Sequence, residues 1–210
     1  MKLNNKRTIL VGLAFLSICA FWQMYDSVVP LILTKTFHMN ETFSGAIMAA
    51  DNILALFLLP FFGSLSDRSH SKIGKRMPFI LFGTGCAVIL MNILPLLDNS
   101  YAAQPSGLKT ASFVIVLGLL LVAMGTYRSP AVALMPDVTP KPLRSRANAI
   151  INLMGAVGGI LYLGVAAVLY PNSKTAGLDH VNYQPLFIVV SAIMFIAIAV
   201  LFLAVKEPKL

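Results

Sequence analysis

Residues 63–80 read GSLSDRSHSKIGKRMPFI, a short charged turn between two apolar runs, each long enough to cross a bilayer. Gly63, Asp67, Arg68, Gly74, Lys75, Arg76 and Pro78 spell G-x-x-x-D-R-x5-G-K-R-x-P. Each position has a physical reading. Gly63 is small where two membrane helices must approach closely. Asp67 places a carboxylate among several cations at the membrane edge. Pro78 opens the next helix, where its missing N–H leaves no bond unmade.

Working outward, the chain on either side is too apolar for a soluble domain. Of its 210 residues 58% are hydrophobic and 11% charged, against about a quarter charged in soluble domains, and mean hydropathy is +0.82. Apolar runs cover about 9–33, 43–65, 78–97, 111–135, 147–170 and 186–205. Each reaches the ~20 residues that span ~30 Å of hydrocarbon. The sequence therefore predicts an all-α integral membrane protein, with residues 1–210 forming one six-helix transmembrane domain. The net charge of +8 does not indicate nucleic-acid binding, because the cations lie between apolar runs and make no basic face. Cys19 and Cys86 both fall inside apolar runs and imply no disulfide framework.

Six spans put both termini on one side. The ends and turns of that side carry twelve cations: Lys2, Lys6, Arg7, Arg68, Lys72, Lys75, Arg76, Lys141, Arg144, Arg146, Lys206 and Lys209. The opposite loops carry Lys35, Lys109 and Lys174, and Arg128 lies within a span. The positive-inside rule predicts cytoplasmic termini. The first apolar run is too long for a signal-peptide core, so it reads as an uncleaved helix. The two long turns on the cation-rich side resemble each other, since Asp67 precedes Arg76 by nine residues and Asp137 precedes Arg146 by nine. Asp67, Arg68 and Arg76, and less directly Asp137, Arg144 and Arg146, read as a breakable charge latch at the membrane edge. Exposed pairs of ~0–1 kcal/mol suit a switch. The other reading is a set of solvated loops with cations near lipid phosphates.

Asp26, Asp51 and Arg128 are the ionisable groups inside spans. Each costs ~2.5–3.5 kcal/mol at mid-membrane, which by default marks an ion or substrate path. Counting from the apolar ends at 1.5 Å per residue places Asp26 ~10 Å and Asp51 ~12 Å from one face. A carboxylate pair at one depth would bind a cation or share a proton. Otherwise one of them merely makes an interhelical hydrogen bond, with Asn52 or Tyr25 as partner. Arg128 counts to ~10 Å from the other face, level with Asn152 and out of reach of both acids. It either donates to a polar substrate or pairs with Asp137 or Asn152. Trp22 lies one turn before Asp26 on the same helix face, too deep for an interfacial belt. Its ring suits the C–H face of a sugar, or simply a packed core. Gln23, Tyr25 and Tyr127 are weaker candidates for the same path. Pro30 and Pro130 should kink or unwind their helices. Gly155-x-x-x-Gly159 offers a close-packing surface. The loops 34–42, 98–110 and 171–185 hold scattered His38 and His180, with His70 in the opening turn, and no metal cluster. Asn40-Glu41-Thr42 matches a glycosylation acceptor. No nucleophile–base set or metal-ligand motif is visible, so the chain does not read as an enzyme.

The Gly63–Pro78 pattern resembles the loop between the second and third helices of major facilitator transporters. Its extra residues between Arg68 and Gly74 resemble the sugar:cation symporter branch, which includes the glycoside/pentoside/hexuronide and sucrose-type carriers. The resemblance implies half of a twelve-helix fold, built as two inverted three-helix repeats, with Lys206–Lys209 as the start of a central linker. It implies alternating-access symport of a sugar or glycoside with H+ or Na+ as coupling ion and no cofactor, in the cell membrane. Asp26 and Asp51 would couple the cation. Trp22, Gln23, Tyr25, Asn52, Tyr127, Arg128 and Asn152 would line the path. Gly63, Asp67, Arg68, Gly74, Lys75 and Arg76 would gate it. The expected partners are lipid, the sugar, and a second six-helix half or a second copy. The alternative is a non-transporting receptor, regulator or assembly module on the same frame.

Overall fold

The computed structural model describes residues 4–175 and 177–205. Lys2 and Lys206–Lys209, used above for topology and linker, lie outside the described residues. Six long helices follow in order: α1 Asn5–Leu31, α2 Glu41–Asp67, α3 Met77–Ala103, α4 Gly107–Val138, α5 Arg144–Leu169 and α6 Gln184–Ala204. All six are long and apolar enough to cross a membrane. The ends of α1 and α6 meet, since Asn4, Lys6 and Arg7 share a surface pocket with Leu203, Ala204 and Val205. That end of the bundle is called terminal here, and the other distal.

Helices outrun the apolar runs because their polar ends are capped. Asn40 accepts from the Thr42 N–H at 3.0 Å and starts α2, so the acceptor-like tripeptide is a helix cap. Asn4 does the same for Arg7 at 3.1 Å. Past Pro30, α1 widens into a π-turn over Ile32–Thr36, the unwinding expected where a proline removes a backbone donor. Pro130 lies within α4, which continues to Val138. Helix α3 continues through Asp98 to Ala103, so the loop expected at 98–110 shrinks to three residues.

Helix α1 is the central post, packed on α5, α6 and α4, while α3 packs on α4 and α6, and α2 on α4. Exchanging α1 with α4, α2 with α5 and α3 with α6 turns each main packed pair into another packed pair. The two halves α1–α3 and α4–α6 are thus inverted repeats. Contact is closest at glycines. A Cβ on Gly158 of α5 would collide with the Leu16 carbonyl of α1, and one on Gly83 of α3 would lie 2.7 Å from the Tyr127 backbone nitrogen. The α1–α5 seam therefore runs along Gly155 and Gly158. Gly159, expected to share the seam, has only the Gln23 side chain at 3.9 Å. Tyr127, fully buried, clasps α4 to α1: its hydroxyl donates to the Ala14 carbonyl at 2.9 Å and lies 2.5 Å from Ser17 Oγ. Asn92 joins α3 to α6 by donating to Ser191 Oγ at 3.1 Å.

Candidate functional site

The residues singled out by the sequence gather at two polar centres, one inside the bundle and one at the terminal end. The inner centre gathers on α1, α2 and α4. Asp26 stands ten residues before the end of the π-turn at Thr36, and Asp51 ten after Glu41. Both therefore lie about 15 Å along their helices from the distal ends, deeper than counted from the apolar runs but still level. The two carboxylates are within electrostatic reach of each other and of the Tyr25 hydroxyl.

Arg128 forms no ion pair with Asp26 or Asp51, but it lies nearer to Asp51 than its count along the sequence places it. It lines one small cavity with Trp22 and Asp51, walled by Leu54, Leu58 and Leu121, and its guanidinium carbon lies 5.5 Å from the Trp22 ring centroid. Two effects close the gap. Helix α4 runs to Val138, so Arg128 is ten residues from its end. Helical side chains also lean toward their own N-terminus, which on α4 is the distal end, where Asp51 lies. Among the described residues no ion pair to Arg128 within 4.0 Å is formed; its guanidinium lies over the Trp22 ring face. Asn152 and Asp137, its other expected partners, are elsewhere.

Two residues of this lining carry a buried polar atom without a hydrogen-bond partner, Trp22 Nε1 and Asp51 Oδ1, and Tyr25 Oη, on the ring next to Trp22, is a third. Trp22 meets Tyr25 edge-on at 5.3 Å and Phe21 at 5.2 Å, so its ring is held by packing while its N–H is unused. Buried orphans cost about 1–3 kcal/mol each. The enclosed space is ≈ 20 Å³, room for about one water, whereas ligand pockets take about 300–1,000 Å³. Gln23 and Asp26 are exposed on the stripe of α1 beside α5, Asn52 is exposed on α2, and Asn152 is exposed on α5. Tyr127 faces the core clasp and not the cavity.

The terminal centre is built on Arg76, whose residue is only 5% exposed. Its Nε donates to Asp137 Oδ2 at 3.0 Å, and Nη1 donates to Ser66 Oγ at 2.6 Å and to the Gly63 carbonyl at 3.3 Å. Nη2 pairs with Asp67. One guanidinium thus ties the end of α2, the start of α3 and the end of α4. Gly63 is small here because Ser129 of α4 abuts it, with Oγ 3.0 Å from where a Cβ would stand. Gly74 turns the chain at φ 114°, which bulkier residues resist. Lys75 Nζ adds a contact to Asp137 at 3.9 Å.

Asp137 pairs with Arg76 and Lys75 rather than with Arg144 or Arg146. Arg144 instead donates to the Pro136 carbonyl at 2.7 Å and the Thr139 carbonyl at 3.3 Å, capping α4, and Arg68 and Arg146 are exposed. The nine-residue spacing shared by the two turns is thus not a shared geometry. Inverted repeats pair the α2–α3 turn with the α5–α6 loop at the opposite end.

The sequence profile described as Major Facilitator Superfamily matches residues 11–210. A sucrose transport protein of Arabidopsis thaliana is 35% identical over 145 residues, 63% of this chain and 24% of that protein. One from Oryza sativa subsp. indica is 33% identical over 141 residues, 60% of this chain and 28% of that protein. The alpha-ketoglutarate permease of Escherichia coli (strain K12) is 26% identical over 179 residues, 84% of this chain and 38% of that protein. The chain thus spans about a quarter to two fifths of the length of these relatives. With its inverted helix triplets and Arg76-centred turn, this multi-pass membrane protein belongs to the major facilitator superfamily, with sucrose transport proteins among its relatives.

Proposed function

We propose that the chain is one half of a secondary active transporter that carries a sugar or glycoside across the cell membrane, coupled to H+ or Na+. The observation that carries the reading is the convergence of Trp22, Asp51 and Arg128 on one cavity, with unpartnered buried polar atoms on Trp22 and Asp51. A ring face, hydrogen-bond donors and a carboxylate are what a polyhydroxylated ligand needs. Asp26 and Asp51 hold the coupling ion, since two carboxylates at one depth are costly to ionise together in a low dielectric. Gln23, Asn52 and Asn152 present amides on exposed faces of α1, α2 and α5 that a second wall would turn into a lined path, whereas Tyr25 stiffens Trp22.

The space is too small for a sugar in this half alone. A second six-helix unit, or a second copy related about the membrane normal, supplies the other wall, and a lone copy does not transport. The Arg76 centre keeps the terminal ends of α2, α3 and α4 moving as one body while the cavity opens and closes against the partner. The positive-inside rule places that end, and both termini, in the cytoplasm.

Liposomes holding the chain with its partner unit test the reading, with sucrose uptake driven by a proton gradient in one arm and a sodium gradient in the other. Uptake is expected to follow one gradient and to lose that coupling in Asp26→Asn and Asp51→Asn. Full gradient-driven uptake in both variants refutes the coupling role.

A further inference from the structure

At the distal end a second polar cluster joins elements remote in sequence. Asp98 of α3 is 0% exposed, and neither of its carboxylate oxygens has a hydrogen-bond partner. The α5–α6 loop places His180 Nδ1 3.9 Å from Asp98 Oδ2 and 3.1 Å from Thr36 Oγ1 at the end of the α1 π-turn. The other ring nitrogen, Nε2, is 3.0 Å from Asn99 Oδ1. Asn99 in turn donates from Nδ2 to Asn182 Oδ1 at 2.9 Å, and Tyr170 donates to the Asn182 carbonyl at 2.8 Å. The loop is thus fastened to the ends of α1 and α3.

Donor counting shows what completes the fastening. Asn99 Oδ1 only accepts, so His180 Nε2 carries a hydrogen and Nδ1 is the variable atom. The Thr36 hydroxyl lies 3.1 Å from the ring nitrogen that faces the carboxylate, without a formed bond to Asp98 in this arrangement, and it has one hydrogen for two acceptors. With Asp98 ionised and His180 neutral, one acceptor goes without, and a bare carboxylate is buried, which is costly. One added proton removes the deficit in either arrangement. On His180, Nδ1–H donates to Thr36 and Thr36 donates to Asp98. On Asp98, the carboxyl donates to Thr36 and Thr36 donates to Nδ1. The other titratable group facing the carboxylate is Tyr183, whose phenol is held above its usual range by burial and then by Asp98. Lys35, His38 and Asp179 are exposed, and Lys109 Nζ is bound to the Ser100 and Gln104 carbonyls.

The fold gives this cluster a counterpart. The repeat exchange that maps α2, α3 and α4 onto α5, α6 and α1 carries the Arg76 centre onto the junction of the α5–α6 loop with the end of α1. A permanent cation fastens the terminal end, and an ionisable relay fastens the distal one. We propose that Asp98, Thr36 and His180 form a proton-binding site that fastens the α5–α6 loop over the distal ends of α1 and α3 when it holds one proton and releases the loop when that proton leaves. The closed loop binds a proton that the open loop does not, so closure is favoured at acid pH and lost as pH rises. The inference rests on the fold and not on the transport reading.

Hydrogen exchange of the full chain in lipid nanodiscs, corrected for intrinsic amide rates, tests it over residues 177–183. Opening is expected to be roughly ten- to hundredfold more frequent at pH 8.5 than at pH 5.5, the range set by one unsatisfied buried group. The variants move in opposite directions. Asp98→Asn supplies its own donor, so the loop stays protected at both pH values. His180→Gln removes the Nδ1 that links the loop to Thr36, so a proton held on Asp98 no longer fastens it and the loop opens to the same raised extent at both. His180→Gln alters a half-exposed loop residue and keeps the test decisive should Asp98→Asn not fold. Equal wild-type protection at the two pH values, or an unchanged pH dependence in either folded variant, overturns the proposal.

Discussion

Arg76 and Tyr127 show how far a residue's environment decides its energetic role. Charged pairs at a membrane edge, read as exposed, would contribute ~0–1 kcal/mol each. Arg76 is buried and bonds four groups on two neighbouring helix ends, and breaking such a centre from one side costs about 3–5 kcal/mol. Arg76→Ala is therefore expected to lower the unfolding midpoint in detergent sharply, and Arg76→Lys to restore only part of it, because an ammonium lacks the planar fork. A full rescue by lysine would show that charge alone matters. For Tyr127 the expectation runs the other way. On the proposed transport reading, Tyr127→Phe loses about 1 kcal/mol of stability and leaves sugar uptake intact, whereas Trp22→Phe, which keeps an aromatic ring in the packing, abolishes uptake. Uptake lost in Tyr127→Phe at unchanged stability would return that tyrosine to the substrate path.

Among the elements, α1 and α5 carry the closest seam. Gly158 sits where the Leu16 carbonyl leaves no room for a Cβ, while Gly164 has nothing within 4 Å. Gly158→Ala forces the helix backbones apart and is expected to cost about 1–3 kcal/mol or more. Gly164→Ala, which replaces glycine by a better helix former, is expected to be neutral or mildly stabilising. Thermal unfolding of the two variants side by side checks both. Equal midpoints would mean that the seam yields without strain.

At the scale of the whole molecule, α2 is the least covered span among the described residues. Helix α2 buries only Ser44 and Ser66, and Leu56, Phe57 and Phe61 are exposed along it. Lipid tolerates such a face, but the polar edges of α1 and α5 nearby do not suit lipid. The proposed pairing predicts that native mass spectrometry from nanodiscs finds the 22.7 kDa chain bound to one further six-helix unit of either kind. Sugar uptake is expected to appear only in preparations that hold the pair. Coupled uptake by a lone copy would sink the half-transporter reading.

The chain's own chemistry determined the spans, because twenty apolar residues have no other stable place than a bilayer core. It also determined the tight charged turn, whose glycines, ions and proline are local requirements, and the shared depth of Asp26 and Asp51, because helix rise is constant. Tertiary structure decided what those groups touch. Arg128 meets Trp22 and Asp51 because α4 outruns its apolar run and its side chain leans back along the helix, neither of which hydropathy records. Asp98 looks like a loop residue because the apolar run stops at Leu97, yet the helix continues, and a histidine 82 residues further on closes over it. Hydrophobicity sets where a helix must lie, but hydrogen-bond partners come from whichever segments the packing brings together.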